Sequence, residues 1–490
     1  MGFCTLFRTV TDVFSKKQLK TRSEFSKIYI ETRSEFSKRG FMYFERKIDK
    51  WLIDWKNRKE KSPALIVGIR QCGKTESIEH FGKNYSKMVK LNFWDNPEYC
   101  SDFEGNLDVD TIISNISLRF PSVRITPGDT LIFFDEIQEC PKARLSFKNF
   151  AKDGRYDVIG SGSYLGINGY VVGDTTPAPV GYDDVYHMYT MDFEEFLWAN
   201  GYNSEQISKM EECFKERKPV PESIHKQFKD LFIKYACVGG FPKAVKAYIQ
   251  NNHNLMEAVR TTESTVFDMK TDFGRRKGKD GKPLFKPSEV ARIHNVFDLI
   301  PTFLAKDNKR FITSKITGGS SKEKVDAIEY LRQAHIVNKV YNLEVPSLPL
   351  KGNIIKSQFK LFPEDIGIVT SMYGLDIVIA INKGNLGQGK GAIYESLVFD
   401  AFNKGGIDTF YFAKESGLEI DFVICYDSSS YLVEAKAKDG NTKSSKTVMA
   451  HPEHYGKTKL IKIGDYNVGE TGDILTIPHY MAFLIGKYKH

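Results

Sequence analysis

The stretch Gly68-Ile69-Arg70-Gln71-Cys72-Gly73-Lys74-Thr75 constrains this chain more than any other. It fits the Walker A pattern G-x-x-x-x-G-K-S/T and follows the apolar run Ala64-Leu65-Ile66-Val67, which reads as a strand. Strand, glycine-rich turn and helix start in that order make a phosphate cradle. The backbone N–H groups of the turn and the helix N-terminus converge on one small volume. The expected cofactors are ATP and Mg²⁺. Gly68, Ile69, Arg70, Gln71, Cys72 and Gly73 would wrap the phosphates, Lys74 would reach the β- and γ-phosphates, and the Thr75 hydroxyl would bind Mg²⁺.

A chain of 490 residues exceeds one ordinary domain, and about two to four are expected. Apolar content of 41% and charged content of 27% suit a globular protein. No apolar run reaches the roughly eighteen residues of a membrane span. Lys16, Lys17 and Lys20 follow the weak N-terminal apolar patch instead of preceding it, unlike a signal peptide. Seven scattered cysteines without a C-x-x-C pair point to reduced thiols and a cytoplasmic location. The net charge of +8 permits nucleic-acid binding without demonstrating it.

Four regions are expected. Residues 1–41 read as a variable extension, in which Thr21-Arg22-Ser23-Glu24-Phe25-Ser26-Lys27 recurs as Thr32-Arg33-Ser34-Glu35-Phe36-Ser37-Lys38. Residues 42–215 alternate strand signals (64–67, 88–93, 130–134, 156–160) with room for helices, the pattern of a mostly parallel sheet with helices on both faces. Ile48, Leu52 and Trp55 mark one face of a helix over 45–58. Residues 216–350 read as a helical region, broken by Gly239-Gly240-Phe241-Pro242 and by the basic stretch around Arg275-Arg276-Lys277. Short helices over 287–345 and a following strand suggest a winged-helix type. Residues 351–490 form a last α/β domain, with strands at 368–370, 409–412, 420–425, 430–435 and 459–463 and a helix over 391–403.

Thr130-Leu131-Ile132-Phe133-Phe134-Asp135-Glu136 is an apolar strand ending in two carboxylates, the Walker B arrangement. Asp135 would hold the Mg²⁺ shell and Glu136 would polarise the attacking water. A third strand ends at Asp157-Val158-Ile159-Gly160-Ser161-Gly162-Ser163. There the Ser161 hydroxyl, with Ser163 second, would orient water or sense the γ-phosphate. A GTPase would carry N-K-x-D to read guanine. Asn382-Lys383-Gly384-Asn385 lacks the aspartate.

These three elements resemble the AAA-type ATPase domain that precedes a DUF4143 domain, within the archaeal-type, STAND-related P-loop ATPases. Met191-Asp192-Phe193-Glu194-Glu195-Phe196-Leu197 and Tyr235-Ala236-Cys237-Val238-Gly239-Gly240-Phe241-Pro242 also look like that family. The resemblance covers roughly residues 42–480. Where many relatives carry a Gly-Arg pair, this chain has Gly181-Tyr182.

The last domain offers a second constellation. Asp421 lies in a strand pattern and Glu434 follows thirteen residues later, so a hairpin would bring the two carboxylates together to attract a divalent ion. Lys436 shares a face with Glu434 and would position or deprotonate water. Glu395, on the preceding helix, would add a third carboxylate. Glu395, Asp421, Glu434 and Lys436 resemble the four polar positions of the PD-(D/E)xK nuclease fold, with Ile420 where a proline is usual. The resemblance implies a restriction-endonuclease-like fold, Mg²⁺ or Mn²⁺ at this site, and DNA as partner. Nearby Lys438, Lys443, Lys446, Lys457, Lys459 and Lys462 would contact phosphates or serve as plain surface charge. The expected function is Mg²⁺-dependent ATP hydrolysis coupled to DNA binding and cleavage. The alternative is an ATP-dependent switch or scaffold with an inactive nuclease-like domain. A homo-oligomer or another protein partner is left open. His451 and His454 read as surface histidines.

Overall fold

Full burial along the central strands decides the first layer. The computed structural model describes residues 42–163, 181–274, 283, 285–306, 309–384, 390–436 and 442–488. The repeated heptads of 1–41 and Arg275-Arg276-Lys277 lie outside the described residues. In β1 (Ala64–Val67), β3 (Thr130–Asp135) and β4 (Asp157–Gly162) every residue is buried. Leu65, Val67, Ile132, Phe134 and Val158 enter one apolar cluster; Ala64, Ile66, Leu131, Phe133 and Ile159 enter another. A strand shows opposite faces on alternate residues, so this split requires cover on both sides. Helices α1 (Lys47–Lys56) and α2 (Lys74–Phe81) cover one face, and α3 (Val109–Arg119) and α4 (Pro141–Asp153) the other. With β2 (Lys87–Asn92) and β5 (Asp184–His187) they form a parallel sheet of order β2-β3-β4-β1-β5. The expected strands and the Ile48–Leu52–Trp55 face of α1 are found here.

The middle region is helical: α5 (Phe193–Ala199), α6 (Ser204–Lys215), α7 (Glu222–Val238), α8 (Pro242–Gln250), α9 (Leu255–Thr271), α10 (Pro287–Leu304) and α11 (Ser321–Gln333). Instead of short helices over 287–345, α10 has 18 residues and α11 has 13. The strands that follow, β6 (Val337–Leu343) and β7 (Ile354–Pro363), form an antiparallel hairpin. β6 also pairs with β8 (Thr409–Ala413), so the hairpin edges a second sheet instead of standing free as a wing.

The strand expected at 368–370 is a helix, α12 (Ile366–Tyr373), followed by α13 (Leu375–Asn382). The β-branched run favours a strand locally, but Asp365 caps the helix by accepting from Gly367 N at 2.7 Å. Lys404 holds that buried cap in place at 2.8 Å. Then come α14 (Lys390–Lys404), β8, β9 (Glu419–Tyr426), β10 (Ser429–Ala435), α15 (Lys443–Ala450) and β11 (Lys459–Gly464). β12 (Gly469–Thr471) and β13 (Ile474–Pro478) complete an eight-stranded mixed sheet among the described residues, of order β12-β13-β11-β10-β9-β8-β6-β7. No helix among the described residues is long and apolar enough to cross a membrane.

Candidate functional site

Strand register builds the first site. Parallel pairing sets Asn92 beside Asp135 and Phe134 beside Gly160. The carboxyl ends of β2, β3 and β4 therefore carry Asn92, Asp135 and Ser161 in one row. β4 separates β3 from β1 and brings the loop after β1 next to that row. Such an out-of-sequence neighbour opens a crevice at the carboxyl ends of the strands. Buried Asp135 accepts from Ser161 Oγ at 2.5 Å and Thr75 Oγ1 at 3.1 Å on Oδ1, and from Asn92 Nδ2 at 3.2 Å on Oδ2. Lys90 Nζ lies 3.0 Å from the same Oδ2.

The loop from Gly68 to Thr75 is packed tightly beneath. A Cβ at Gly68 would fall 2.1 Å from Met188 O, so only glycine fits there. Gln71 and Gly73 adopt left-handed backbones, with φ 63° and 101°, which turn the chain into α2. Lys74 is buried and donates to the carbonyls of Gly68 and Ile69, each at 3.0 Å. The Cys72 carbonyl accepts from Arg46 Nη1 at 2.8 Å, and Arg46 also pairs with Glu195 at 3.1 Å. Arg70 is salt-bridged to Asp272, at the end of α9, and lies over the exposed Trp94 ring. Beside it an open cleft lies between loop and helical region, with Trp94, Ser163, Phe273 and Tyr330 in its walls. Glu136 is left-handed at φ 53°, and Gln138 Nε2 donates to its Oε2 at 2.5 Å. A non-glycine residue in that conformation stores strain of order 1 kcal/mol, which surrounding contacts must hold.

A hydroxyl and a carboxylate abreast, beside a buried lysine and a left-handed loop, fit Mg²⁺ with a nucleoside triphosphate. Bound there, the ion would neutralise phosphate charge; Thr75 and Asp135 would hold it. Arg46, Lys90 and Asn92 were missed in sequence. Asn92 was findable, because it ends β2 level with Asp135.

The second constellation forms around the β9–β10 hairpin. Phe422 pairs with Val433, which brings Asp421 level with Glu434. Lys436 Nζ lies 2.7 Å from Glu434 Oε2 and 3.3 Å from Asp421 Oδ2. Ala435 N donates to Asp421 at 2.9 Å, and Ser445 Oγ to Glu434. On α14, Glu395 Oε1 pairs with Lys309 at 2.7 Å, while its buried Oε2 has no hydrogen-bond partner among the described residues. Burial raises the Glu395 pKa, and the nearby Asp421 charge raises it further. Glu434 is raised by the same two causes, against the pull of Lys436. Fully buried Lys360 pairs with Glu419 at 3.0 Å. Burial pushes its pKa down, but Glu395, Glu419 and Asp421 more than offset that. Lys436 is likewise raised, since Asp421 and Glu434 outweigh burial. Among the described residues, no three His, Cys, Asp or Glu side chains converge to hold an ion. Lysines occupy the spaces between these carboxylates, so the arrangement as it stands fits internal ion pairing better than a ready cation site. Lys309, Lys360, Glu419 and Ser445 were not singled out in sequence. Lys443, Lys446 and Lys457 are exposed. His451 and His454 stay at the surface against Glu453.

Residues 60–197 match the AAA domain family. The chain carries an AAA-type P-loop ATPase domain. This AAA domain holds the whole row from Gly68 to Ser161. Residues 390–480 match DUF4143 and residues 229–377 match DUF8612, both described as domains of unknown function. No curated protein matches the chain. Among solved structures it is similar to the Walker-type ATPase paby2304 of Pyrococcus abyssi, at 12% identity and TM-score 0.41, over 68% of this chain and 96% of that one. The Aeropyrum pernix Orc1 protein in complex with DNA aligns at 11% identity and TM-score 0.24, over 69% and 95%. AMPPCP-bound DnaA from Aquifex aeolicus aligns at 11% and 0.25, over 58% and 86%.

Proposed function

We propose that the chain hydrolyses ATP with Mg²⁺ and uses the nucleotide state to control a DNA-directed C-terminal domain. The observation that carries the ATP reading is the row Asn92–Asp135–Ser161 with the Thr75 hydroxyl bonded to Asp135. Lys74 reaches the β- and γ-phosphates, Thr75 and Asp135 hold the ion, Glu136 orients the attacking water, and Ser161 senses the γ-phosphate. Arg70 and Asp272 tie the loop to α9, so a loop that moves with the nucleotide pulls on the helical region. Coupling follows only if the two nucleotide states differ in that contact.

For the C-terminal domain, the helix–three-strand–helix–strand order of α14, β8, β9, β10, α15 and β11 supports a PD-(D/E)xK-type reading. So does the Asp421–Glu434–Lys436 contact set. Exposed Lys443, Lys446 and Lys457 and the charge of +8 support DNA as the partner. In this reading Glu395, Asp421 and Glu434 bind Mg²⁺ or Mn²⁺, and Lys436 positions water. The lysine-paired carboxylates favour a second reading, an ATP-dependent switch whose C-terminal domain binds without cutting.

Cleavage of linear and circular DNA with Mg²⁺ or Mn²⁺, with and without ATP, separates the two. Cleavage that Asp421→Ala or Lys436→Ala abolishes, with ATP turnover intact, supports the nuclease. Absence of cleavage under every condition supports the switch. ATP turnover that survives Lys74→Ala would falsify the nucleotide site.

A further inference from the structure

Lys90 lies on β2, two residues before Asn92 and so on the same face of the strand. Its ammonium is 3.0 Å from Asp135 Oδ2 and 3.0 Å from Glu79 Oε1. The two carboxylates differ in setting. Asp135 is 3% exposed and sits in the proposed ion site, whereas Glu79 is 47% exposed on α2, the helix that starts with Lys74 and Thr75. Lys90 itself is 27% exposed, so its head reaches water. Asp135's other partners, Thr75, Ser161 and Asn92, are neutral.

We infer that Lys90 is a positioning residue that competes with the divalent ion for Asp135 and so sets the Mg²⁺ requirement of nucleotide binding. This rests on the Mg²⁺–ATP reading of the site. An ammonium 3.0 Å from a carboxylate cancels much of the charge that would draw a cation to it. It also repels a second cation at the same oxygen. Glu79 gives the ammonium a second partner within reach, so Lys90 yields Asp135 without being left unpaired. Lys90 thus holds the carboxylate in line and raises the ion concentration needed to engage it.

The test is binding of a fluorescent ATP analogue by the full chain across a Mg²⁺ titration, with EDTA as the zero point. Lys90→Met should lower the half-saturating Mg²⁺ about three- to tenfold, the range for losing one partly exposed ion pair in a polar pocket. Lys90→Arg keeps the charge and should restore the wild-type value. Glu79→Gln leaves Lys90 to Asp135 alone and should raise the requirement about twofold or more. An unchanged or raised requirement in Lys90→Met overturns the inference. If that variant does not fold, Glu79→Gln decides, and an unchanged or lowered requirement overturns it. Wild-type protein that binds no nucleotide at any Mg²⁺ concentration overturns the site reading, and this inference with it. Mg²⁺-dependent wild-type binding with no shift in the variants overturns the inference alone.

Discussion

Asp135 at the end of β3 and Asp421 in β9 are both buried carboxylates with a lysine ammonium on Oδ2, at 3.0 and 3.3 Å. Their surroundings differ. Asp135 is a single acid among neutral donors, and its lysine has an exposed second partner in Glu79. Asp421 stands in a group with Glu395 and Glu434 that Lys309 and Lys436 pair with, while Lys360, whose side chain is 1% exposed, pairs with the adjoining Glu419 and faces the charges of Glu395 and Asp421. A lone acid with a surface lysine can exchange one cation for another at low cost. An acidic group with a sealed lysine loses stability when that lysine goes, because removing one partner leaves uncompensated buried charge.

Substitutions at the two sites should separate these behaviours. Lys74→Ala should abolish nucleotide binding. Glu136→Gln should keep binding and slow turnover about 100-fold or more, read from phosphate release. Lys360→Met should cost about 3–5 kcal/mol in denaturant unfolding. Lys90→Met should cost under about 1 kcal/mol. Equal losses at the two lysines would break the comparison. A pH series sharpens it at the join between β5 and the end of α11. His335 is lowered to about 4, chiefly by burial and then by the charge of His187. Its folded pKa lies below its unfolded value near 6.5. The unfolded chain therefore takes up the proton first, and stability falls as pH drops from about 6.5 to 4, by up to about 3 kcal/mol. His335→Asn, which suits the left-handed φ of 54°, should flatten that part of the unfolding curve. The smallest effect is expected at Asp272→Asn. Its half-exposed pair with Arg70 is worth under about 1 kcal/mol of stability. Losing that pair should nonetheless uncouple ATP turnover from added DNA, measured as the ratio of rates with and without it.

Much of the first site was legible because its signals are local. Gly68 to Thr75 and Asp135-Glu136 each sit at the end of an apolar strand, and the strand period fixes which side chains share a face. The Asp421–Glu434 pairing was legible for the same reason, since a hairpin register follows from the strand pattern and turn. The helix at Ile366–Tyr373 was not. Its β-branched residues favour a strand, and the buried partner of its cap, Lys404, is remote in sequence. Arg46 was equally hidden, because a basic residue ahead of a polar helix resembles any solvated charge until the Cys72 carbonyl and Glu195 pack against it.

The sequence by itself determined the turn from Gly68 to Thr75, the parallel sheet that presents it and the hairpin that pairs Asp421 with Glu434. Each depends on residues adjacent in the chain or on one strand register. Tertiary structure decided which lysine meets which carboxylate: Lys90 with Asp135, Lys309 with Glu395 and Lys360 with Glu419. In sequence these are interchangeable charges. Only packing, by removing water and fixing distances near 3 Å, turns some into pairs open to water at a strand end and others into sealed pairs.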